Sequence, residues 1–260
     1  MKSSSIKRLR LATRRDAERR LHEIYWLMKQ SYTNIIVEGE KILDPFNLYT
    51  TQEYLESDKL GLVLRETLLH GYSVPIIVVR GRLGRLYIVD GHHRAKTATW
   101  LRSMIKAYVL NIPGYHKPWA KPITAIKTIN PPITIDDPVL KTWRHMVNII
   151  GFIEQSHGKT PRLWVEKIKM TRLLATQPLL EHDIPEKIID EPILVYFISN
   201  EYYIIDGHTR ACLKLLGGWE DIKSVVFTIG EPIGIIETAK LIGKPRISID
   251  YCRKPLRLSI

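Results

Sequence analysis

Leu86-Tyr87-Ile88-Val89-Asp90-Gly91-His92-His93-Arg94-Ala95 is a β-rich run that turns polar at Asp90 and then enters a helix-like run from Ala95 to Leu101. The pattern returns 116 residues later as Tyr202-Tyr203-Ile204-Ile205-Asp206-Gly207-His208-Thr209-Arg210, before a second helix-like run from Ala211 to Leu216. Both copies read as strand, polar turn, helix. A helix start carries backbone N–H groups without helical partners and the positive end of the helix dipole, so it attracts phosphate. Histidine and arginine at the same turn add donors. The turn therefore reads as an anion-binding loop for a nucleotide.

Working outward, Pro75-Ile76-Ile77-Val78-Val79 predicts a strand, Gly81 to Gly84 a hairpin turn, and residues 105–111 a further strand. In the second copy Pro192-Ile193-Leu194-Val195 matches the first of these and Ile222 to Phe227 the last. Pro75 precedes Asp90 by 15 residues and Pro192 precedes Asp206 by 14. Gly217-Gly218 stops the second helix. A duplicated unit of roughly 65–75 residues accounts for these matches. Elsewhere Leu21, Ile24, Tyr25 and Met28 fall at helical spacing, so residues 9–30 predict an amphipathic helix with Arg14, Arg15, Arg19 and Arg20 on its polar side. Residues 34–43 and 163–170 read as strands. Residues 51–70 and 140–154 read as helical, with Leu55, Leu60, Leu62, Leu64 and Leu68 as core positions. Prolines at 118, 122, 131, 132 and 138 make 113–138 a linker or irregular cover.

The expected fold class is α+β (mixed α/β). Its organisation is a basic helical extension at 1–33, a nucleotide-binding domain at 34–112, a proline-rich linker and helix at 113–160, a second, divergent unit at 161–230, and a basic segment at 231–260.

The 260 residues carry a net charge of +12, and half of that excess lies in residues 1–20, which hold eight Lys or Arg against two acids. Lys244, Arg246, Arg253, Lys254 and Arg257 add a second basic end. Basic ends bind nucleic acid through phosphate attraction, serve anionic metabolites, or are simply solvated. No apolar run approaches the roughly 18 residues of a membrane span, and the N-terminus lacks a secretory apolar core, so the expectation is a soluble cytoplasmic protein without a membrane partner. Cys212 and Cys252 provide no zinc spacing and no disulfide framework; whether they pair is left open. Abundant Ile, Lys, Arg and Tyr suit a hyperthermophile.

The Pro-Ile-x-Val strand, the hairpin, and Tyr-x-Ile-Val/Ile-Asp-Gly-His-x-Arg before a helix resemble the ParB/sulfiredoxin superfamily over most of residues 37–111 and 163–228. The resemblance implies two tandem ParB-like units. The spelling Val89-Asp90-Gly91-His92-His93-Arg94 is especially similar to the archaeal free L-serine kinases, though ParB-like proteins of other activity share it. That likeness implies a phosphotransferase that moves a phosphoryl group from ATP or ADP, with Mg²⁺, to free L-serine. The product is O-phospho-L-serine, which feeds cysteine biosynthesis. In those kinases an essential glutamate opens a helix about two dozen residues before the strand proline. Glu53 stands 22 residues before Pro75, with Glu56 as runner-up, and Met170 holds the matching place in the second copy.

On this reading Glu53 is the base that takes the serine proton. The amides of Gly91 to Arg94 hold phosphates, and Arg94 pairs with phosphate oxygens. His92 or His93 donates to the transferred group. Asp90 orients the loop, caps the helix, or contacts Mg²⁺ through water. Thr50, Thr51, His116, Trp119, Thr160 and Arg162 are the candidates for holding the amino acid. The second copy, with Thr209 in place of His93, is expected to be a degenerate partner. The competing readings are a ParB-like DNA-binding protein that uses its basic termini, and a ParB-like nuclease. A sulfiredoxin would require a cysteine in the loop, where this chain has histidines.

Overall fold

The computed structural model describes residues 10–129, 138–177 and 190–253. Lys2, Lys7, Arg8, Pro131, Pro132, Lys254 and Arg257 lie outside the described residues. The chain forms two compact units, one of Met1–Leu64 with Tyr72–Ile133 and one of Arg65–Gly71 with Thr134–Ile260. Each has its own mixed sheet, which makes the chain an α+β protein.

The first unit runs α1 (Arg14–Lys29), β1 (Ile36–Leu43), β2 (Leu48–Thr50), β3 (Tyr54–Glu56), α2 (Ser57–His70), β4 (Ile76–Arg80), β5 (Leu86–Asp90), α3 (His92–Trp100), β6 (Ile105–Asn111), β7 (Lys121–Pro122) and β8 (Lys127–Ile129). Its six-stranded sheet has the order β1-β6-β4-β5-β2-β7. β4 pairs antiparallel with β5 and parallel with β6. A β-branched run such as Ile76 to Val79 suits this central place, because a strand with parallel neighbours is covered on both faces. Successive residues therefore enter two cores. Ile76, Val78 and Ile88 pack with Ala95 and Ala98 of α3, while Ile77, Val79 and Tyr87 pack with Ile24 of α1. Helix α1 begins at Arg14, later than the apolar spacing suggested. Thr13 and Asp16 form a reciprocal capping box there, and it satisfies two first-turn donors.

The second unit runs α4 (Pro138–His157), β9 (Arg162–Lys169), β10 (Leu173–Leu174), β11 (Ile193–Ile198), β12 (Glu201–Asp206), α5 (His208–Leu216), β13 (Asp221–Thr228), α6 (Gly234–Leu241) and α7 (Ile249–Arg253). Its sheet order, β10-β12-β11-β13-β9, reproduces that of the first unit when read from the other edge. The pairing directions agree strand for strand. Even the bulge recurs: the hairpin register slips between Ile77 and Val78 in one unit and between Leu194 and Val195 in the other. The sequence repeat is thus a repeat of topology.

Three expectations change. The proline-rich stretch also builds structure, since β7 extends the first sheet beside β2. Glu53 does not open a helix: it occupies a bend before β3, and α2 begins at Ser57. Leu62 is only partly buried, although Leu55, Leu60, Leu64 and Leu68 are core residues.

Cys212 of α5 and Cys252 of α7 form a disulfide, with Cα atoms 5.3 Å apart and 40 residues of chain between them. A cross-link of this span stabilises chiefly by restricting the unfolded chain. Full reduction should lower the unfolding free energy by about 2–4 kcal/mol. Denaturant unfolding with and without reductant measures this, and coincident curves would show that the bond contributes nothing.

Candidate functional site

Both loops rest on one backbone constraint. Gly91 adopts φ +92° and Gly207 φ +97°, the left-handed region. A Cβ at Gly91 would lie 2.4 Å from Ile76 Cγ2, and one at Gly207 would lie 2.6 Å from Ile193 Cγ2. Any side chain would be both strained and obstructed. The glycine turns the chain from β5 directly into α3, and no side chain caps the helix start. The first-turn amides are thereby left to face whatever occupies the turn.

Asp90 does not cap α3. Its Oδ2 accepts from Arg94 Nη2 at 2.7 Å. Arg94 Nη1 donates to the carbonyls of Pro75 at 2.6 Å and Val74 at 3.1 Å. The guanidinium expected to face phosphate is instead turned inward, and it ties the loop to the start of β4. The second copy repeats this bond: Arg210 Nη2 donates to Asp206 at 2.5 Å. There Nη1 meets the buried carboxylate of Glu191 at 3.2 Å, because a glutamate stands where the first copy has Val74.

The two loops differ at the histidine. His208 Nε2 accepts from the Thr176 amide at 3.0 Å. Its counterpart His92 is 5% exposed, lies against the Ile88 carbonyl, and has no partner at Nε2. His93 likewise meets the Glu56 carbonyl and has an unpartnered Nε2. Burial pushes both pKa values down to about 4; Asp90 opposes the shift at His92, and Lys59 adds to it at His93. The rings are neutral near pH 7.

The loop borders a cavity of about 420 Å³ in the first unit, lined by Gln52, Val63, Tyr72 and the whole Asp90–Arg94 stretch. Arg10, Asp16, Arg19 and Lys59 supply its charged wall. Sequence reasoning missed these four and Tyr72, whose hydroxyl donates to the Ala12 carbonyl at 2.9 Å. Of the expected residues, Asp90, Gly91, His92, His93 and Arg94 come together here. Thr51 sits beside Gln52 but does not line the cavity, and Thr50 is fully buried, accepting from the Gln52 amide. Glu53 is exposed outside the cavity, and its carbonyl accepts from Lys121 at 3.3 Å. Glu56 also lies outside the lining, yet it acts electrostatically on His93. Trp119 and His116 are exposed and do not line the cavity. Thr160 and Arg162 belong to the second unit.

The arginines of α1 are largely neutralised. Arg14 pairs with Glu18 and Glu40, Arg19 with Asp16, and Arg20 with Glu23. No group of three His, Cys, Asp or Glu among the described residues could hold a metal ion. Asp90 Oδ2 is taken by Arg94, so a cation here would draw most of its ligands from bound phosphate and water. No helix of the described residues is long and apolar enough to cross a membrane. No protein-family model matches the chain, and no curated protein matches it.

The two Asp–Arg clamps differ in what their loss costs. Arg210→Ala takes the guanidinium from Glu191, a carboxylate only 3% exposed that also accepts from Thr142, and breaking a buried ion pair costs about 3 kcal/mol or more. Arg94→Ala strands the more exposed Asp90 and should cost less. Urea midpoints of the two variants compare them, and a greater loss at Arg94 would reverse the assignment. His208 is held down to about 4 by burial, against its ordinary 6.5. Between those values the unfolded chain binds a proton that the folded unit rejects. The stability that His208 contributes is therefore complete above pH 6.5 and is lost as the pH falls toward 4. His92 and His93 act with the same sign. The unfolding midpoint should drop between pH 7 and pH 5, and His208→Gln should flatten part of that slope. A slope unchanged in His208→Gln would remove this residue from the account.

Proposed function

We propose that the first unit is a nucleotide-dependent phosphotransferase acting on a small hydroxylated metabolite, with free L-serine as the acceptor that the sequence resemblance implies. The observation that carries this reading is the uncapped start of α3 together with the buried His92, unpartnered at Nε2, both in the lining of one cavity. The second copy has the same loop, but there the protein itself satisfies the histidine. This supports one working site and one structural copy.

In the proposed reaction the acceptor oxygen bonds to the terminal phosphorus of ATP or ADP, and the bond to the leaving nucleotide oxygen breaks. The hydroxyl proton passes to a carboxylate. First-turn amides of α3 bind phosphate oxygens, with the helix dipole in support. Bound Mg²⁺ would supply charge neutralisation on the phosphates, with Asp90 within water-mediated reach. The Nε2 atoms of His92 and His93 orient groups that bring protons, such as the acceptor hydroxyl or a water bridging to phosphate. Arg94 acts by fixing the loop.

The resemblance assigns the base to Glu53, whereas the electrostatic reach of Glu56 to His93 favours Glu56. A DNA-binding reading draws on the basic termini, but the described arginines of α1 are mostly engaged in ion pairs. Purified protein with Mg²⁺, ATP or ADP and a panel of free amino acids and polyols tests the proposal. Serine-dependent formation of O-phosphoserine is expected. Glu56→Gln should lower kcat by about a hundredfold, within the range of general-base losses, while Glu53→Gln stays within about threefold. The opposite ranking would return the role to Glu53. No transfer to any acceptor would overturn the kinase.

A further inference from the structure

The cavity wall carries four cationic side chains, Arg10, Arg19, Lys59 and Arg94. Three already have anionic partners. Arg10 and Arg19 share Asp16, at 3.3 and 3.1 Å, and Arg94 holds Asp90. Lys59 has no hydrogen bond or ion pair with any described residue.

Its position is also unfavourable for stability. Lys59 is the third residue of α2, so its charge meets the positive end of the helix dipole. It lies close enough to His93 to disfavour a charge on that ring. Asp58 precedes Lys59 in the same turn, yet the exposed lysine side chain pairs with no described carboxylate and is left to meet an anion in the cavity it lines. His92, 5% exposed and without a partner at Nε2, lines the same cavity and independently points to a ligand.

We infer that Lys59 is an anion-contact residue, the side chain that neutralises the outermost phosphate of a ligand held at the α3 start. This rests on the phosphate-binding reading of the loop and adds a specificity to it. Ligands with a further phosphate beyond the one held by the amides gain most from Lys59. The chemical class is a di- or triphosphate rather than a monophosphate.

Calorimetric titration of the full chain with inorganic pyrophosphate tests the inference, alongside thermal unfolding of the same samples. Lys59→Gln should weaken pyrophosphate binding by about tenfold or more and leave inorganic phosphate binding within about threefold; one charge-assisted contact is of that size. Lys59→Arg should retain most of the affinity. Because Lys59 opposes the dipole, Lys59→Gln should unfold at a temperature no lower than the unmodified chain, which separates a ligand role from a structural one. Pyrophosphate binding unchanged in Lys59→Gln would overturn the inference while leaving the loop reading intact. A chain that binds neither phosphate nor pyrophosphate would overturn both.

Discussion

A glycine with φ near +90° at the strand–helix junction is the constraint on which the rest depends. It lets β5 and β12 run into α3 and α5 without a connecting loop. A reversal that tight brings the turn against the neighbouring strand, β4 or β11, where Ile76 or Ile193 fills the space a Cβ would need. The Asp–Arg pair four residues apart then clamps the turn. Given that geometry, the first-turn amides have no side-chain cap and must find solvent or ligand.

Two copies of one scaffold show how small changes decide whether such a turn stays open. In the second unit Thr176 turns its amide toward His208, and Glu191 adds a buried carboxylate to Arg210. His208 is satisfied internally, and burial of the Arg210–Glu191 ion pair makes it costly to disturb. In the first unit Val74 contributes only a carbonyl, and the two histidines have no partner at Nε2. The same backbone thus carries a satisfied histidine in one place and unpartnered ones in the other. α1 adds to that difference. It covers one face of the first sheet through Ile24, and the chain around its start supplies Arg10, Asp16 and Arg19 to the cavity wall.

Much of this was legible in the sequence, for physical reasons. A continuous β-branched run reported the central strand because both faces of β4 are covered, and the repeated Asp-Gly-His reported the turn because only glycine fits its backbone. The inward turn of Arg94 was also signalled, by an aspartate four residues earlier and by the same spacing in the second copy, but an arginine near a helix start invites a phosphate reading first. The contributions of Arg10, Asp16, Lys59 and Tyr72 had no local signal. They meet the loop only through tertiary packing, across tens of residues of chain. The pairing of Cys212 with Cys252 was similarly hidden, since two cysteines separated by 40 residues imply no geometry until α7 packs on α5.

The central claim is that the first loop is open to ligand and the second is closed. Hydrogen–deuterium exchange of the whole chain with and without ADP and Mg²⁺, read on peptides spanning each loop, addresses it in one experiment. The account predicts slowed exchange at residues 91–95 and none at 207–211. Equal protection of both loops, or protection confined to the second, would contradict it.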